Sequence, residues 1–353
     1  MDPRVSILID TYNYGRFIEE ALESVLAQDY PSEQMEVIVV DDGSTDDTAE
    51  RMKKYGGRGV QYFRKENGGQ ASAFNFGLAR ARGEIVAFLD ADDYWLPGKL
   101  KRVVEEFEGH PEAGMVYHRL LERSESTGEI REALFVPLSG YIAKSRDALR
   151  EYRVYPTSSL SFRRELLIRF GPIPENIRLQ ADAYIALLAA LDTPIQAISE
   201  CLAVYRIHGS NLFTSGAEGQ TRNRRRQQIE TWATIIEEIE RWVRLTGADA
   251  ESSGVRLLLE RHRVYQQDMQ FALDPPGRIE FFRLLLRKNR LNRDVRSAKL
   301  RVVSSLNAWA SLITGYRHFR ALDEFWLTLD RAKDKFTSMH AGQSTHRSDE
   351  VTK

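Results

Sequence analysis

Three carboxylates stand within four residues at Asp90-Ala91-Asp92-Asp93. Like charges so close together repel, and burial raises the cost further. A divalent cation would offset it, and carboxylate oxygens suit Mg²⁺ or Mn²⁺ better than Zn²⁺. The bland alternative is a solvated acidic turn in which Asp92 or Asp93 caps a helix over Pro97 to Phe107. A cap, however, uses one carboxylate and not three. Asp41-Asp42-Gly43-Ser44 and Asp10-Thr11-Tyr12-Asn13 are further polar clusters of the same kind. Asp42 before a glycine can be a plain turn residue or a ligand contact. Asn67-Gly68-Gly69-Gln70 can be an ordinary start to a helix, or a place where backbone N–H groups approach a phosphate.

The elements that must position these residues follow from periodicity. Val5 to Ile9, Glu36 to Val40, Val60 to Phe63 and Ile85 to Leu89 are short apolar runs, as strands buried on both faces are. Helical patterns lie between them, over Phe17 to Gln28, Thr45 to Lys54 and Ala71 to Arg82. Such alternation predicts an α/β fold with a doubly wound sheet. In such sheets ligands sit beyond the carboxyl ends of the strands, which is where Asp10, Asp41, Asp42 and Asp90 to Asp93 fall. Further on, the pattern gives a strand at Gly114 to His118 and an excursion around Ser126-Thr127-Gly128. A strand at Pro156 to Phe162, a helix at Arg164 to Phe170, an apolar helix at Asp182 to Leu191 and a strand at Ile195 to Tyr205 complete this part. Trp95 is expected in the core beside the acidic loop, and Thr157 and Ser158 on the acceptor side of a site.

Composition sets bounds. A chain of 353 residues has room for two domains. The formal net charge is −1, so no global field draws in nucleic acid or a membrane. The single cysteine, Cys201, excludes an internal disulfide and fits a reducing compartment. With no charged-then-apolar leader and no apolar run near the ~20 residues of a spanning helix, a cytoplasmic protein is expected. The division expected is residues 1–215, a linker at 216–219, a helical domain at 220–337, and a polar, disordered tail at 338–353.

Val5 to Asn13, Val39 to Asp46, Asn67 to Gly77 and Asp90-Ala91-Asp92-Asp93, in that order, resemble the family-2 glycosyltransferases. The resemblance covers about the first three-fifths of the chain, by the order of motifs rather than by any one of them. It implies a GT-A fold, a Rossmann-like mixed sheet flanked by helices. It further implies a nucleotide-sugar donor, a divalent metal, and inversion at the anomeric carbon. On this resemblance Thr11 and Asp42 contact the base and ribose, with Asp41 beside them. Asp90 and Asp92 form the metal-ribose pair, and Asp92 is the metal ligand. Tyr12, Asn13, Asn67, Gly69, Gln70, Asn75 and Ala91 complete the donor-binding set. Asp182 resembles the general base, and His208 sits where it can reach the metal or the diphosphate. The chain departs from the family pattern at Asp10, where proline is common, at Phe74, where many members carry arginine, and at Ala181, where glutamate is frequent.

The chemistry expected is metal-dependent inverting transfer from a UDP-sugar, or a related nucleotide-sugar, to the hydroxyl of a saccharide or lipid-linked acceptor, as in surface polysaccharide or glycolipid synthesis. Asp182, at the start of an apolar helix, is placed to be either the base or a mere N-cap. Alternatives are a sugar-nucleotide nucleotidyltransferase, which would usually need a Gly-rich N-terminal loop with a basic residue, and a non-catalytic nucleotide-binding protein. In the helical region, residues 278–301 interleave Arg and Lys with Phe and Leu. That segment can be a peripheral membrane contact at the inner face, a solvated helix packing its apolar side on the domain, or an oligomer contact.

Overall fold

β1 (Val5–Thr11), β2 (Met35–Asp41) and β4 (Ile85–Asp90) lie at the heart of a nine-stranded sheet, buried on both faces along almost their whole length. That double burial is why each reads as a continuous apolar run. The computed structural model describes residues 2–133, 138–209, 211, 222–246, 253–291, 306, 308–313 and 316. The other strands are β3 (Val60–Arg64), β5 (Tyr94–Trp95), β6 (Met115–Ser124), β7 (Ile130–Glu132), β8 (Leu160–Arg163) and β9 (Ile195–Ile207). The order is β3-β2-β1-β4-β8-β6-β9-β5, with β7 paired to β6. The first four strands are mutually parallel, whereas β8 runs antiparallel to both β4 and β6. The sheet is therefore mixed, as expected of the GT-A fold, and not purely doubly wound.

Helices α1 (Gly15–Leu26), α2 (Thr48–Met52), α3 (Gln70–Leu78) and α4 (Lys99–Gly109) connect the first half. α1 and α4 bury Ile18, Leu22, Val25, Leu100 and Val103 against Ile7, Val39 and Leu89. α5 (Arg146–Glu151), α6 (Arg164–Phe170) and α7 (Ala181–Asp192) follow. α2 starts later than the pattern suggests because Asn13 Oδ1 accepts from the Thr45 and Asp46 N–H groups, holding that stretch as a loop. α3 stops short because the Arg82 N–H donates to Glu36 and the Gly83 N–H to Ser6, pinning a turn.

A register shift in the β6–β9 pairing, between His118 and Leu120, marks a bulge. Such bulges re-aim the chain that follows. Here β9 swings over to pair with β5, bringing Arg206 and His208 across the acidic loop.

α8 (Arg222–Thr246), α9 (Ser253–Leu273) and α10 (Arg278–Leu291) form the helical C-terminal region. The chain divides into two compact units, Met1–Gln266 and Gln267–Lys353. Within the first, α8 packs on α6 through an edge-to-face pair of Phe170 and Trp242. The expected linker at 216–219, the tail at 338–353 and the part of 278–301 beyond Leu291 lie outside the described residues. Among the described residues no helix is long and apolar enough to cross a membrane.

Candidate active site

Strand register gathers the acids. Asp10 lies alongside Asp90 across the β1–β4 pair, and Thr11 alongside Asp41 across the β1–β2 pair. Just past β4, Asp90, Asp92 and Asp93 each offer a ligand atom within 4.8 Å of the others. These acids do not cap α4, whose N-cap is Gly98.

The three aspartates are held differently. Asp93 is spent on scaffolding: Ser158 Oγ donates to it at 2.6 Å and the Arg206 N–H at 2.9 Å. Asp92 faces His208, whose Nε2 lies 2.9 Å from its Oδ2, while Arg16 donates toward His208 Nδ1 at 3.4 Å. An arginine donor at Nδ1 leaves the proton on Nε2, so His208 donates to Asp92. Asn211 Nδ2 adds a longer contact to the same oxygen. Asp90 shares a hydrogen bond with Asp10. Burial, and then the charge of Asp92, push the Asp10 carboxyl up to about 7. Burial first, then the neighbouring acids, push Asp90 and Asp93 well above the usual carboxylate range.

Basic side chains stand behind the loop. Arg206, buried, donates Nε to the Asp92 carbonyl at 2.7 Å and pairs with Glu20 and Glu125 at 2.9 and 3.2 Å. Lys99, also buried, donates to the Ser158 carbonyl at 2.7 Å and sits 3.8 Å from the Trp95 ring centre. Trp95 is in the core, as its sequence context suggests. Ser158 is wholly buried behind the acids, so it lines no acceptor surface.

A hard divalent cation fits this set. The donors are carboxylate oxygens with one imidazole, and Asp10 Oδ1 is buried without a hydrogen-bond partner. Desolvated, mutually repelling carboxylates are what a dication relieves. Asp92, with Asp90 adjacent, would hold it, and His208 would join them on giving up its Nε2 proton.

On the donor side Thr11 is buried, with its hydroxyl unpartnered, and Tyr12 is 46% exposed. Asn13 ties the first loop to the next, its N–H donating to Ser44 Oγ at 2.9 Å. Asp42 accepts from Lys65 Nζ at 2.7 Å and from the Gly68 and Gly69 N–H groups at 2.9 and 2.7 Å. It therefore sets the shape of the loop before α3. Asp41 is committed inward, to the Ser44 N–H at 2.7 Å and the Tyr62 hydroxyl at 2.5 Å. Asn75 clamps the chain at Ile173 through both of its backbone groups, at 2.8 Å each. Asn67 accepts from Arg178 at 2.7 Å. Ala91 is buried in the core. Phe74 is wholly buried, its ring centre 4.7 Å from that of Phe88, so no contact to a diphosphate arises there.

The loop before α3 is locked to the one before α7. The Gln70 N–H donates to the Arg178 carbonyl, and the Ala181 N–H to Gln70 Oε1, each at 2.9 Å. A Cβ on Gly69 would lie 2.6 Å from that carbonyl oxygen. Asp182, the second residue of α7, is thus carried beside the donor loop. It is not the N-cap, which is Gln180. Thr157 Oγ1 donates to its carboxylate at 3.0 Å. Burial raises its pKa, and its charge in turn raises those of Asp10 and Asp90, so the three carboxylates influence one another.

Sequence reasoning left several of these out of the site. Asp10 is legible as an acid at a strand end and as a departure from the family pattern, but only the register makes it the acid beside Asp90. Arg16 and Tyr14 surround His208, with ring centres of Tyr14 and His208 5.8 Å apart. Asn211 contacts Asp92, and a short polar residue in a loop gives no periodic signal, whereas Thr157, expected on the acceptor side, holds Asp182.

The mixed sheet flanked by helices is the GT-A fold. The family described as Glycosyl transferase family 2 matches residues 6–171. An uncharacterized glycosyltransferase of Nostoc sp. is 35% identical over 237 residues, covering 64% of this chain and 71% of that one. An uncharacterized protein of Mycobacterium tuberculosis is 34% identical over 218 residues, 60% of this chain and 61% of the relative, less than two-thirds of its length. Two solved structures share the fold. Residues 1–349 of S. aureus TarS, in complex with UDP-GlcNAc, superpose with a TM-score of 0.63 at 21% identity over 90% of this chain and 92% of that one. The mannosyltransferase PcManGT of Pyrobaculum calidifontis, in complex with GDP-Man and Mn²⁺, gives 0.51 at 21% identity over 95% and 87%. The chain belongs to glycosyl transferase family 2 and is a glycosyltransferase.

Proposed function

We propose that the chain transfers a sugar, with inversion, from a nucleotide-sugar, a UDP-sugar before others, to the hydroxyl of a saccharide or lipid-linked acceptor. What supports the reading is the electrostatic coupling of Asp182 to Asp10 and Asp90, the acids at the ends of β1 and β4, with Asp92 beside them. The ligands of the two structural neighbours, UDP-GlcNAc and GDP-Man with Mn²⁺, support it.

In this reading Thr11 and the loop shaped by Asp42 receive the nucleotide, and Asp90 the ribose. Asp92 and His208 would hold Mn²⁺ or Mg²⁺, whose charge would offset that building on the departing diphosphate. The acceptor oxygen attacks the anomeric carbon as the bond to the diphosphate breaks. The acceptor proton passes to the Asp182 carboxylate, and the nucleoside diphosphate leaves. A raised pKa makes Asp182 the stronger base, and the Thr157 hydroxyl fixes its orientation. Asp41 and Asn75 act as positioning residues. The reaction would serve surface polysaccharide or glycolipid synthesis at the inner face of the membrane.

The test is a panel of nucleotide-sugars, UDP-GlcNAc and GDP-Man included, read by thermal stabilisation and by donor turnover with and without Mn²⁺. A ligand that prefers the folded state raises its melting temperature. Metal-dependent stabilisation by one donor class is the expected result, and stabilisation by none would overturn the reading.

A further inference from the structure

The second unit presents a surface that sugar transfer does not use. On α10, Ile279, Phe282 and Leu286 follow one another at three and four residues, the spacing of one helix face. Leu306, Trp309 and Ile313 repeat that spacing. The middle members touch, with the Phe282 and Trp309 ring centres 4.9 Å apart, so the stripes join into one patch.

This patch is not the inner face of the helices. Phe281, Leu284 and Leu291 are buried, and so are Ala308 and Tyr316, with Phe281 and Tyr316 ring centres 5.0 Å apart. The outer residues stay in water: Ile279 is 64% exposed, Trp309 61% and Ile313 77%. Large apolar side chains grouped in this way mark an interaction surface.

The charge beside the patch identifies the partner. Arg283, Arg287 and Arg290 are exposed, and each lies next to Phe282 or Leu286 or one turn beyond. None has an ion-pair partner among the described residues, whereas Lys288 pairs with Asp268 at 2.8 Å. Glu280 is the sole acid on α10. A tryptophan with bulky aliphatics, flanked by guanidinium groups, matches a membrane interface bearing anionic headgroups.

We propose that this face of the second unit docks on anionic lipid bilayers, with Ile279, Leu286, Trp309 and Ile313 entering the headgroup boundary. Arg283, Arg287 and Arg290 pair with the lipid phosphates. No spanning segment is involved; the contact is peripheral and reversible. It stands whether or not the transfer reading does.

The experiment uses the full chain and sedimentation with two vesicle types, neutral phosphatidylcholine and the same lipid with about one-third phosphatidylglycerol. Three arginines near a charged surface predict about a hundredfold preference for the anionic vesicles, falling as salt is added. Trp309→Ser is expected to weaken binding about tenfold, and Arg283→Glu with Arg287→Glu to remove the preference for anionic lipid. Absence of vesicle binding, or equal binding to both types, would overturn the proposal. So would a native oligomer that Trp309→Ser dissociates, because the patch would then be a contact between chains. The native-chain comparison decides the matter even if a variant fails to fold.

Discussion

Replacing Gly69 by alanine perturbs the junction between the donor loop and the segment that carries Asp182. Gly69 has φ 88° and ψ 175°, a conformation essentially reserved to glycine. Forcing a side chain there costs about 1–3 kcal/mol. The added Cβ also meets the Arg178 carbonyl oxygen at 2.6 Å and its Cα at 2.8 Å. Those are backbone atoms that cannot swing away, and relieving such a clash costs about 1–3 kcal/mol more. The sum is about 4 kcal/mol. Gly98 provides the control. Its φ of 82° and ψ of −2° are left-handed, and nothing lies within 4 Å of an added Cβ. Gly98→Ala should therefore cost only about 1–2 kcal/mol. Thermal melts of the two variants should fall by about 7 °C and about 3 °C respectively. Gly69→Ala should also weaken donor binding, since the Gly69 N–H holds Asp42, while Gly98→Ala should leave it unchanged. Equal destabilisation by the two changes would refute the claim that Gly69 is where the two loops meet.

Asp182→Asn keeps the shape and the Thr157 contact but removes the base, so kcat should fall by about 10²–10⁴-fold with donor affinity retained; unchanged turnover would remove Asp182 from the reaction. Asp10 has a folded pKa near 7 against an ordinary 3.8, so the folded state holds more protons between those values. Stability of the metal-free protein should therefore be greatest at the acid end of that window, decline as pH rises to about 7 and then level off as far as this group is concerned. Added Mn²⁺ should oppose the decline, as melts across that range would show. Phe74→Ala empties a fully buried site against Phe88 and should cost about 3–5 kcal/mol in urea unfolding, without selectively altering donor recognition.

The parts of the fold legible in the sequence are those whose signal is periodic. β1, β2 and β4 are buried on both faces and so are mostly apolar up to the acids at their ends, with Ser6 and Glu36 hydrogen-bonded to each other. β5 is two residues long and α5 six, too short to leave a pattern. The site was legible where an acid ends a strand, as Asp42 and Asp90 to Asp93 do. It was not legible where a residue acts across the chain. Asn75 looks like a donor contact in its motif but clamps Ile173, nearly a hundred residues away in sequence. The inward commitment of Asp41 depends on Tyr62, which only the β2–β3 pairing brings near. Asp10 gained its role from the register with β4, and no local feature of its own segment carries that information.

Calorimetric titration of Mn²⁺ into the chain, with and without UDP, tests most directly whether acids from separate strand ends hold a cation against a diphosphate. The native chain should bind Mn²⁺, and UDP should tighten that binding by about tenfold or more. Asp92→Asn should abolish both while leaving the fold of the metal-free protein intact. Mn²⁺ binding that neither UDP nor Asp92→Asn alters would contradict the account.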